Sequence, residues 1–158
     1  MKYIPALLLL LAALASSAPP PGHEPGGSQL FPCINARYST PMKLSFAAGV
    51  TFMQLHSNGT YSGFFSQIEP GIAGGRLNFG YRYGEYHFLP VYHIGACASL
   101  MHTWGNPLGD VESGQTYIGI ELSGAFNVII LSGGAFRHIA GDDEENDWIY
   151  SLGAGLGI

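Results

Sequence analysis

The chain contains 158 residues, which is enough for one domain, and it carries a formal net charge of −5 at pH 7. Only 11% of the residues are charged, against about 25% in soluble domains, and the 23 glycines are about twice the usual share. The acidic balance and the lack of a basic cluster argue against a nucleic-acid partner.

The N-terminus has the three parts of a secretory signal. Lys2 supplies a positive charge, residues 6–14 form an apolar segment, and Ala13-Leu14-Ala15 fits a cleavage site. Because the apolar segment is too short to span a bilayer, we expect residues 1–15 to be a cleaved signal peptide rather than an uncleaved anchor. Residues 16–32 are rich in proline, glycine and serine, which predicts a disordered periplasmic linker.

The rest of the chain alternates between apolar residues and residues that are polar or glycine. A period of two places alternate side chains on opposite faces of a β-strand. Strands are accordingly predicted over 43–53, 63–72, 76–84, 89–104, 115–124, 126–137 and 147–158. The stretch 126–137 is apolar on both faces, so the pattern does not say which face points outward.

The last predicted strand, 147–158, shows the alternation most clearly. One face carries only apolar residues, and from Ser151 onward the other carries serine and glycine. An apolar outer face with a small or polar inner face is typical of a transmembrane β-barrel. We therefore predict an all-β fold, a small antiparallel transmembrane barrel that occupies residues 33–158.

Seven predicted strands leave the barrel incomplete, because bacterial single-chain barrels have an even number of strands. The eighth strand is expected within 33–41. If the C-terminus is periplasmic, loops 105–114 and 138–147 are extracellular and the short turn at 124–126 is periplasmic. Long outer loops and short periplasmic turns are the asymmetry that such barrels show.

Four charged residues fall on the predicted inner face, namely Glu69, Arg76, Arg82 and Glu121. The interior of an eight-stranded barrel is just wide enough for its side chains to fill, and an unpaired buried charge is costly. We therefore predict an internal ion-pair network in which each glutamate lies within reach of Arg76 or Arg82. The alternatives for these residues are a narrow gated pore and a glutamate that acts as a catalytic base.

The export signal, the alternation and the apolar terminal strand together resemble small bacterial outer-membrane β-barrel proteins. The terminal strand is similar to the carboxy-terminal signal that such proteins present to the barrel-assembly machinery, although it ends in Ile158 rather than in an aromatic residue. The resemblance implies a location in the bacterial outer membrane. It also implies contact with outer-membrane lipid and lipopolysaccharide, and the barrel-assembly machinery as a partner. It implies no activity.

Two other functions remain open at this point. Small outer-membrane lipid A deacylases use a His-x-Ser pair, but the similar run here places Ala140 two residues after His138, where the serine would stand. At His56-Ser57, adjacent side chains on a strand would point to opposite faces. We therefore predict a structural or surface-interaction role without catalytic residues, with the deacylase as one alternative. The other is a soluble periplasmic lipocalin-like barrel with its faces reversed.

Acidic residues cluster in one predicted outer loop. Carboxylates suit Ca²⁺ or Mg²⁺, although the spacing is not that of an EF-hand. The candidates for a cation-binding loop are Asp142, Asp143, Glu144, Glu145 and Asp147, and a solvated acidic loop is the alternative. The sequence lacks nucleotide-loop and CxxC motifs, so no cofactor is expected. Cys33 and Cys97 are either a disulfide, as export permits, or two buried thiols.

Overall fold

The computed structural model describes residues 27–86, 90–142 and 147–157, and every regular element in these ranges is a β-strand. The strands are β1 (Ser28–Ser39), β2 (Lys43–Leu55), β3 (Thr60–Pro70), β4 (Gly74–Tyr86), β5 (Pro90–Thr103), β6 (Thr116–Phe126), β7 (Ile129–Ala140) and β8 (Trp148–Gly157). Within the same ranges, no helix is long and apolar enough to cross a bilayer. The predicted signal peptide, residues 1–15, lies outside the described residues.

The eight strands form a closed ring in which each strand pairs with the next and β8 pairs with β1, always antiparallel. This confirms the all-β, eight-stranded antiparallel barrel. Each residue of one strand is paired with a residue of the next, and these pairs can be followed around the ring. Starting from Gln29, the series of pairs returns to β1 at Ser39, ten residues further along the strand. This shift tilts the strands by about 40°. Strands of this length then make the barrel about 30 Å tall.

β1 is the strand that completes the even count, and it begins earlier than predicted. It begins at Ser28, so residues 28–32 of the predicted linker pair with β2. Only residues 35–39 of β1 also pair with β8. Pro32 therefore lies where one edge of the strand needs no backbone donor, which is the position that proline tolerates in a sheet. The proline-rich composition of this region hides the strand in the sequence.

The barrel has two different ends. The end that we call the loop end carries the connections 40–42, 71–73, 104–115 and 141–147. The other, the terminus end, carries 56–59, 87–89 and 127–128 together with the start of β1 and the end of β8. The two longest connections share the loop end, as predicted. The short turn predicted at 124–126 lies at 127–128 instead, because β6 continues to Phe126.

Side chains alternate between the outside and the inside of the barrel, and the predicted faces are confirmed for the described residues to which the sequence assigned one. In β2, Phe46 is exposed and Ser45 is buried. In β7, where the sequence left the faces open, Leu131 points outward and Ile130 inward, with exposed fractions of 62% and 9%. The outer surface is therefore apolar, and the inner surface carries most of the charge.

Side chains fill the interior in layers. At the loop end, Val111 of connection 104–115 packs against an apolar cluster that comprises Met42, Met101, Tyr117, Phe136 and Ile149. Buried charged and polar side chains occupy the middle of the barrel, and Met53 and Tyr61 are buried nearer the terminus end. This layering places the charged groups away from both ends of the barrel.

Candidate functional site

Arg37, Glu69, Arg76 and Glu121 form one connected ion-pair network inside the barrel. Arg37 holds Glu69 with two parallel hydrogen bonds, of which the bond from Nε to Oε1 is 2.5 Å and the second joins Nη2 to Oε2. Nη1 of Arg37 donates to Oε1 of Glu121 at 2.6 Å. Such bidentate, charge-assisted contacts are the strong class of hydrogen bond. Arg37 thereby joins two carboxylates on two different strands.

Arg76 completes the network on the side of the loop end. Its Nη1 donates to Oε2 of Glu121 at 2.5 Å, and its Nη2 donates to Oγ of Ser151 at 2.7 Å. The Arg76 guanidinium also lies 5.2 Å from the ring centroid of Phe136, within the range of a cation–π contact. This contact joins the ion-pair network to the apolar cluster that closes the loop end.

Further polar groups satisfy the two carboxylates and the arginines. Ser45 Oγ donates to Glu69 at 2.6 Å, and Asn78 Nδ2 donates to the same carboxylate at 3.3 Å. Arg37 donates to Ser132 Oγ at 3.0 Å, and Arg76 Nε lies 3.4 Å from the sulfur of Met101. With these partners the network draws on all eight strands. Two arginines and two glutamates also make its formal charge zero, which buried ions need.

A glycine leaves room for Arg37. Gly155 of β8 pairs directly with Arg37. A Cβ atom at Gly155 would lie 2.5 Å from Cβ of Arg37, which is closer than real Cβ atoms approach. A larger residue at position 155 would therefore displace the arginine that joins the two glutamates. The glycines on the inner face of β8 thus serve the packing of the interior.

Arg82 does not join this network, which differs from the prediction. Its guanidinium stacks over Phe65 at 4.1 Å from the ring centroid, and no carboxylate in the described ranges lies within ion-pair distance of it. Arg82 stands six residues beyond Arg76 on β4, which at about 3.3 Å per residue is about 20 Å away. Glu69 pairs with Arg37, a residue that the sequence analysis missed, rather than with Arg76 or Arg82.

A small cavity lies beside Arg82. Its volume is about 30 Å³, and its lining includes Arg82, Asn35, Asn78, His93 and Cys97. A cavity of about 10–15 Å³ holds one water-sized species, so this one has room for about two. Three buried polar atoms of its lining residues have no hydrogen-bond partner, namely Arg82 Nε, Asn78 Oδ1 and Asn35 Oδ1.

The two cysteines are free, buried thiols. Cys33 Sγ accepts a hydrogen bond from Gln67 Nε2 at 3.1 Å. β1 and β5, which carry the cysteines, lie on opposite sides of the eight-stranded ring. A disulfide requires Cα atoms within about 7 Å of each other. Of the two alternatives left open by the sequence, the structure therefore has the free thiols.

The two histidines considered for hydrolysis each lie close to one neutral polar side chain. His138 Nε2 lies 3.0 Å from Oε1 of Gln115, and its ring packs against Tyr117. His56 Nε2 lies 3.0 Å from Oγ of Ser62, not of the neighbouring Ser57. A hydrolytic triad also needs a group that orients the histidine. No carboxylate in the part of the chain that the structure describes hydrogen-bonds to His56.

The predicted cation-binding loop falls only partly within the structure. Asp142 and Asp147 belong to connection 141–147, whereas Asp143, Glu144 and Glu145 lie outside the described residues. Across residues 27–86, 90–142 and 147–157, no group of three or more histidine, cysteine, aspartate or glutamate side chains is placed to hold a metal ion. The cation-binding loop therefore stays a prediction.

Comparisons of this chain with protein-family models, with curated proteins and with solved structures gave no match. The features of this chain that bear on function are the polarity of the two barrel faces, the chemistry of the interior and the arrangement of the connections.

Proposed function

We propose that this chain is a bacterial outer-membrane β-barrel with a filled polar interior, and that its role is structural or that of a surface for interactions. The observation that carries the proposal is the reversed polarity of the barrel. Large hydrophobic side chains are exposed on its outside, whereas three arginines and two glutamates are buried within it. A protein that is surrounded by hydrocarbon needs this arrangement, and one that is surrounded by water does not.

The apolar outer band has the height of a membrane. Among the described residues that point outward from the strands, the charged ones are Arg137 toward the loop end and Glu85 toward the terminus end, and the half-buried Lys43 begins β2 at the loop end. Between these levels the exposed side chains are mostly apolar or small, including Phe46, Ile120 and Leu152, and the polar Gln54 and His102 lie near the two ends of the strands. A barrel height of about 30 Å matches the hydrocarbon thickness of a bilayer.

The closed ring meets the second requirement of a bilayer. Backbone amide and carbonyl groups that face hydrocarbon must bond to one another, because no water is present to do so. The pairing of β8 with β1 closes the ring in the half of the barrel toward the loop end. Within that half, closure removes the free edges that an open sheet would expose, whereas residues 28–34 of β1 pair with β2 alone.

Aromatic side chains mark both borders of the apolar band. Trp104 and Trp148 flank it at the loop end, and Tyr83 and Tyr92 lie toward the terminus end, all of them exposed. Tryptophan and tyrosine favour the boundary between hydrocarbon and water because one part of the side chain is apolar and the other is polar. These residues support two aromatic girdles with the apolar band between them.

The connections indicate the orientation and the partners. Outer-membrane barrels have short periplasmic turns and long external loops, so the loop end faces outward and presents 104–115 and 141–147. The outward-facing side chains of the barrel contact outer-membrane lipid and, in the outer leaflet, lipopolysaccharide. β8, with Trp148, Leu152 and Leu156 exposed on its outer face, is the segment offered to the barrel-assembly machinery.

The soluble lipocalin-like barrel and the deacylase are less well supported. A lipocalin needs a polar exterior in contact with water and an interior cavity for its ligand. Ligand pockets measure about 300–1,000 Å³, whereas the interior cavity beside Arg82 measures about 30 Å³. A deacylase needs an oriented histidine beside a serine. The contact between His56 and Ser62 supplies a histidine and a serine, but not the third group, which orients the histidine.

Cell fractionation tests the proposal directly. The full chain, produced with its N-terminal segment in a Gram-negative host, should be recovered in the outer-membrane fraction and should stay there after carbonate extraction. Release of folded protein into the periplasmic fraction would contradict the proposal and support the lipocalin-like alternative. A soluble periplasmic protein and a resident outer-membrane protein serve as fractionation controls.

A further inference from the structure

Among the described residues, the buried interior of the barrel contains one more positive charge than negative charge. Arg37, Arg76 and Arg82 are buried there, and so are Glu69 and Glu121. The first two arginines and both glutamates neutralise one another in the ion-pair network. Arg82 is left over. Its residue is 9% exposed, and among the described residues it has no acidic partner.

Phe65 compensates Arg82 only in part. The guanidinium lies 4.1 Å from the centroid of the Phe65 ring, and a cation–π contact offsets a fraction of the cost of removing a charge from water. The ring offers no hydrogen-bond acceptor, and Arg82 Nε has none elsewhere. A buried guanidinium with an unused donor and no counter-charge calls for a further partner.

The cavity beside Arg82 has the size and the lining for that partner. It has room for about two water-sized species, and Arg82, His93 and Asn78 contribute to its wall. Arg37 and Glu121 also reach the cavity, but their charges offset each other within the network. The local excess of charge at the cavity is therefore the positive charge of Arg82.

We propose that this cavity binds one monovalent, halide-sized anion together with one water molecule. The anion accepts the unused hydrogen bond of Arg82 Nε and brings the formal charge of the described interior to zero. The water donates to Asn78 Oδ1, a buried acceptor without a partner, and hydrates the anion. Two water molecules would satisfy the same hydrogen bonds but would leave the charge of Arg82 unbalanced. Sulfate or phosphate with its own shell of partners exceeds the available volume.

Bromide is the probe for the experiment, because its anomalous scattering distinguishes it from water. The full-length mature barrel is refolded in detergent with sodium bromide present, so that entry does not depend on opening of the closed ring. A crystal structure should then show one bromide in contact with Arg82 Nε. A cavity that contains only water in the bromide-grown crystal would overturn the proposal.

Two arginine variants supply the matched comparison. Arg82→Met removes the buried guanidinium and should abolish the bromide peak, whereas Arg137→Met removes an exposed arginine on the outer face and should keep it. If bromide remains in the cavity of Arg82→Met, Arg82 is not the binding group and the proposal is wrong.

A thermal measurement on the unmodified protein decides the matter if Arg82→Met does not refold. At equal ionic strength, the unfolding midpoint should be higher in bromide or chloride than in gluconate, which is too large for the cavity. The rise should reach about 4 °C at a halide concentration ten times the dissociation constant. The same midpoint in halide and in gluconate would overturn the proposal.

Discussion

At the scale of single residues, Arg37 determines the charge balance of the interior. It contacts both oxygens of Glu69 and one oxygen of Glu121. The alternation of the sequence predicts that the two glutamates and Arg76 lie on the inner face, because each lies in a clearly alternating stretch. It misses Arg37 because β1 contains Pro32, and the alternation around it is weak.

For Arg82, the sequence predicts the correct face of the strand but not the correct contact partner. Alternation tells which side chains point inward, and Arg82 does point inward. The height of a side chain within the barrel depends on strand tilt and on the ten-residue shift around the ring. Neither the strand tilt nor the shift around the ring can be derived from the alternation of one strand. The sequence therefore identifies inward-facing charges but not which of them meet.

Replacement of Arg37 should be more harmful than the loss of one contact suggests. Arg37→Met leaves Glu69 without its bidentate partner, and loss of one member of a buried pair costs about 3–5 kcal/mol. The double variant Arg37→Met with Glu69→Gln should cost less than the sum of the two single changes. Urea unfolding of the refolded barrels measures each cost.

The control for this cycle is Arg137→Met on the outer face, which should change the free energy of unfolding by less than about 0.5 kcal/mol. Strict additivity of the two interior changes would show that Arg37 and Glu69 are not energetically coupled. That result would contradict the pairing of Arg37 with Glu69.

The contact between His56 and Ser62 should not make the protein a lipid A hydrolase. A serine nucleophile needs a histidine base that a third group orients, and His56 lacks an orienting carboxylate in the described ranges. Refolded protein mixed with lipopolysaccharide should leave every ester-linked acyl chain in place by mass spectrometry. Fatty-acid release that disappears in Ser62→Ala would show the opposite.

At the scale of strands, alternation is informative where one face is polar and uninformative where both faces are apolar. β2 and β8 are examples of the first case, because serine, threonine or glycine fills most of their inner positions. β7 is an example of the second, because Ile130 points into the barrel and Leu131 out of it. Only the pairing of β7 with β6 and β8 settles which side chain faces outward.

A matched pair of isoleucines tests the outer face of the strands. Ile120 lies in the middle of β6 and Ile139 lies near the loop end of β7, and both are exposed, at 64% and 52%. In a lipid bilayer, Ile120→Arg should cost about 2–4 kcal/mol and Ile139→Arg about 0–1 kcal/mol, because the cost of a charge depends on its depth. Equal costs, from reversible unfolding in vesicles, would argue against a bilayer around β6.

At the scale of the whole molecule, the sequence predicts the fold class and the number of strands well. The seven visible strands and the even-number rule for barrels together lead to eight strands, and the ring in the structure has eight. The filled interior also follows from that number. The cavity beside Arg82 could not be predicted, because a void depends on how side chains from several strands fit together.

Labelling of intact cells tests the orientation of the barrel. Asp110→Cys places a thiol in connection 104–115 at the loop end, and Ser57→Cys places one in connection 56–59 at the terminus end. A large maleimide reagent that does not cross the outer membrane should label the first variant in intact cells. It should label the second only after the membrane is permeabilised. The reverse pattern would mean that the loop end faces the periplasm.

Spin-label accessibility in vesicles tests the central claim, that lipid surrounds this barrel, most directly. Labels are attached at Ile118→Cys, Ile120→Cys and Leu122→Cys on the outer face of β6, after Cys33 and Cys97 have been replaced by alanine. Oxygen, which concentrates in hydrocarbon, should reach all three labels, and the effect should be largest at position 120, whereas a water-soluble nickel complex should be excluded from them. Ready access of the nickel complex to all three positions would contradict the membrane-embedded barrel.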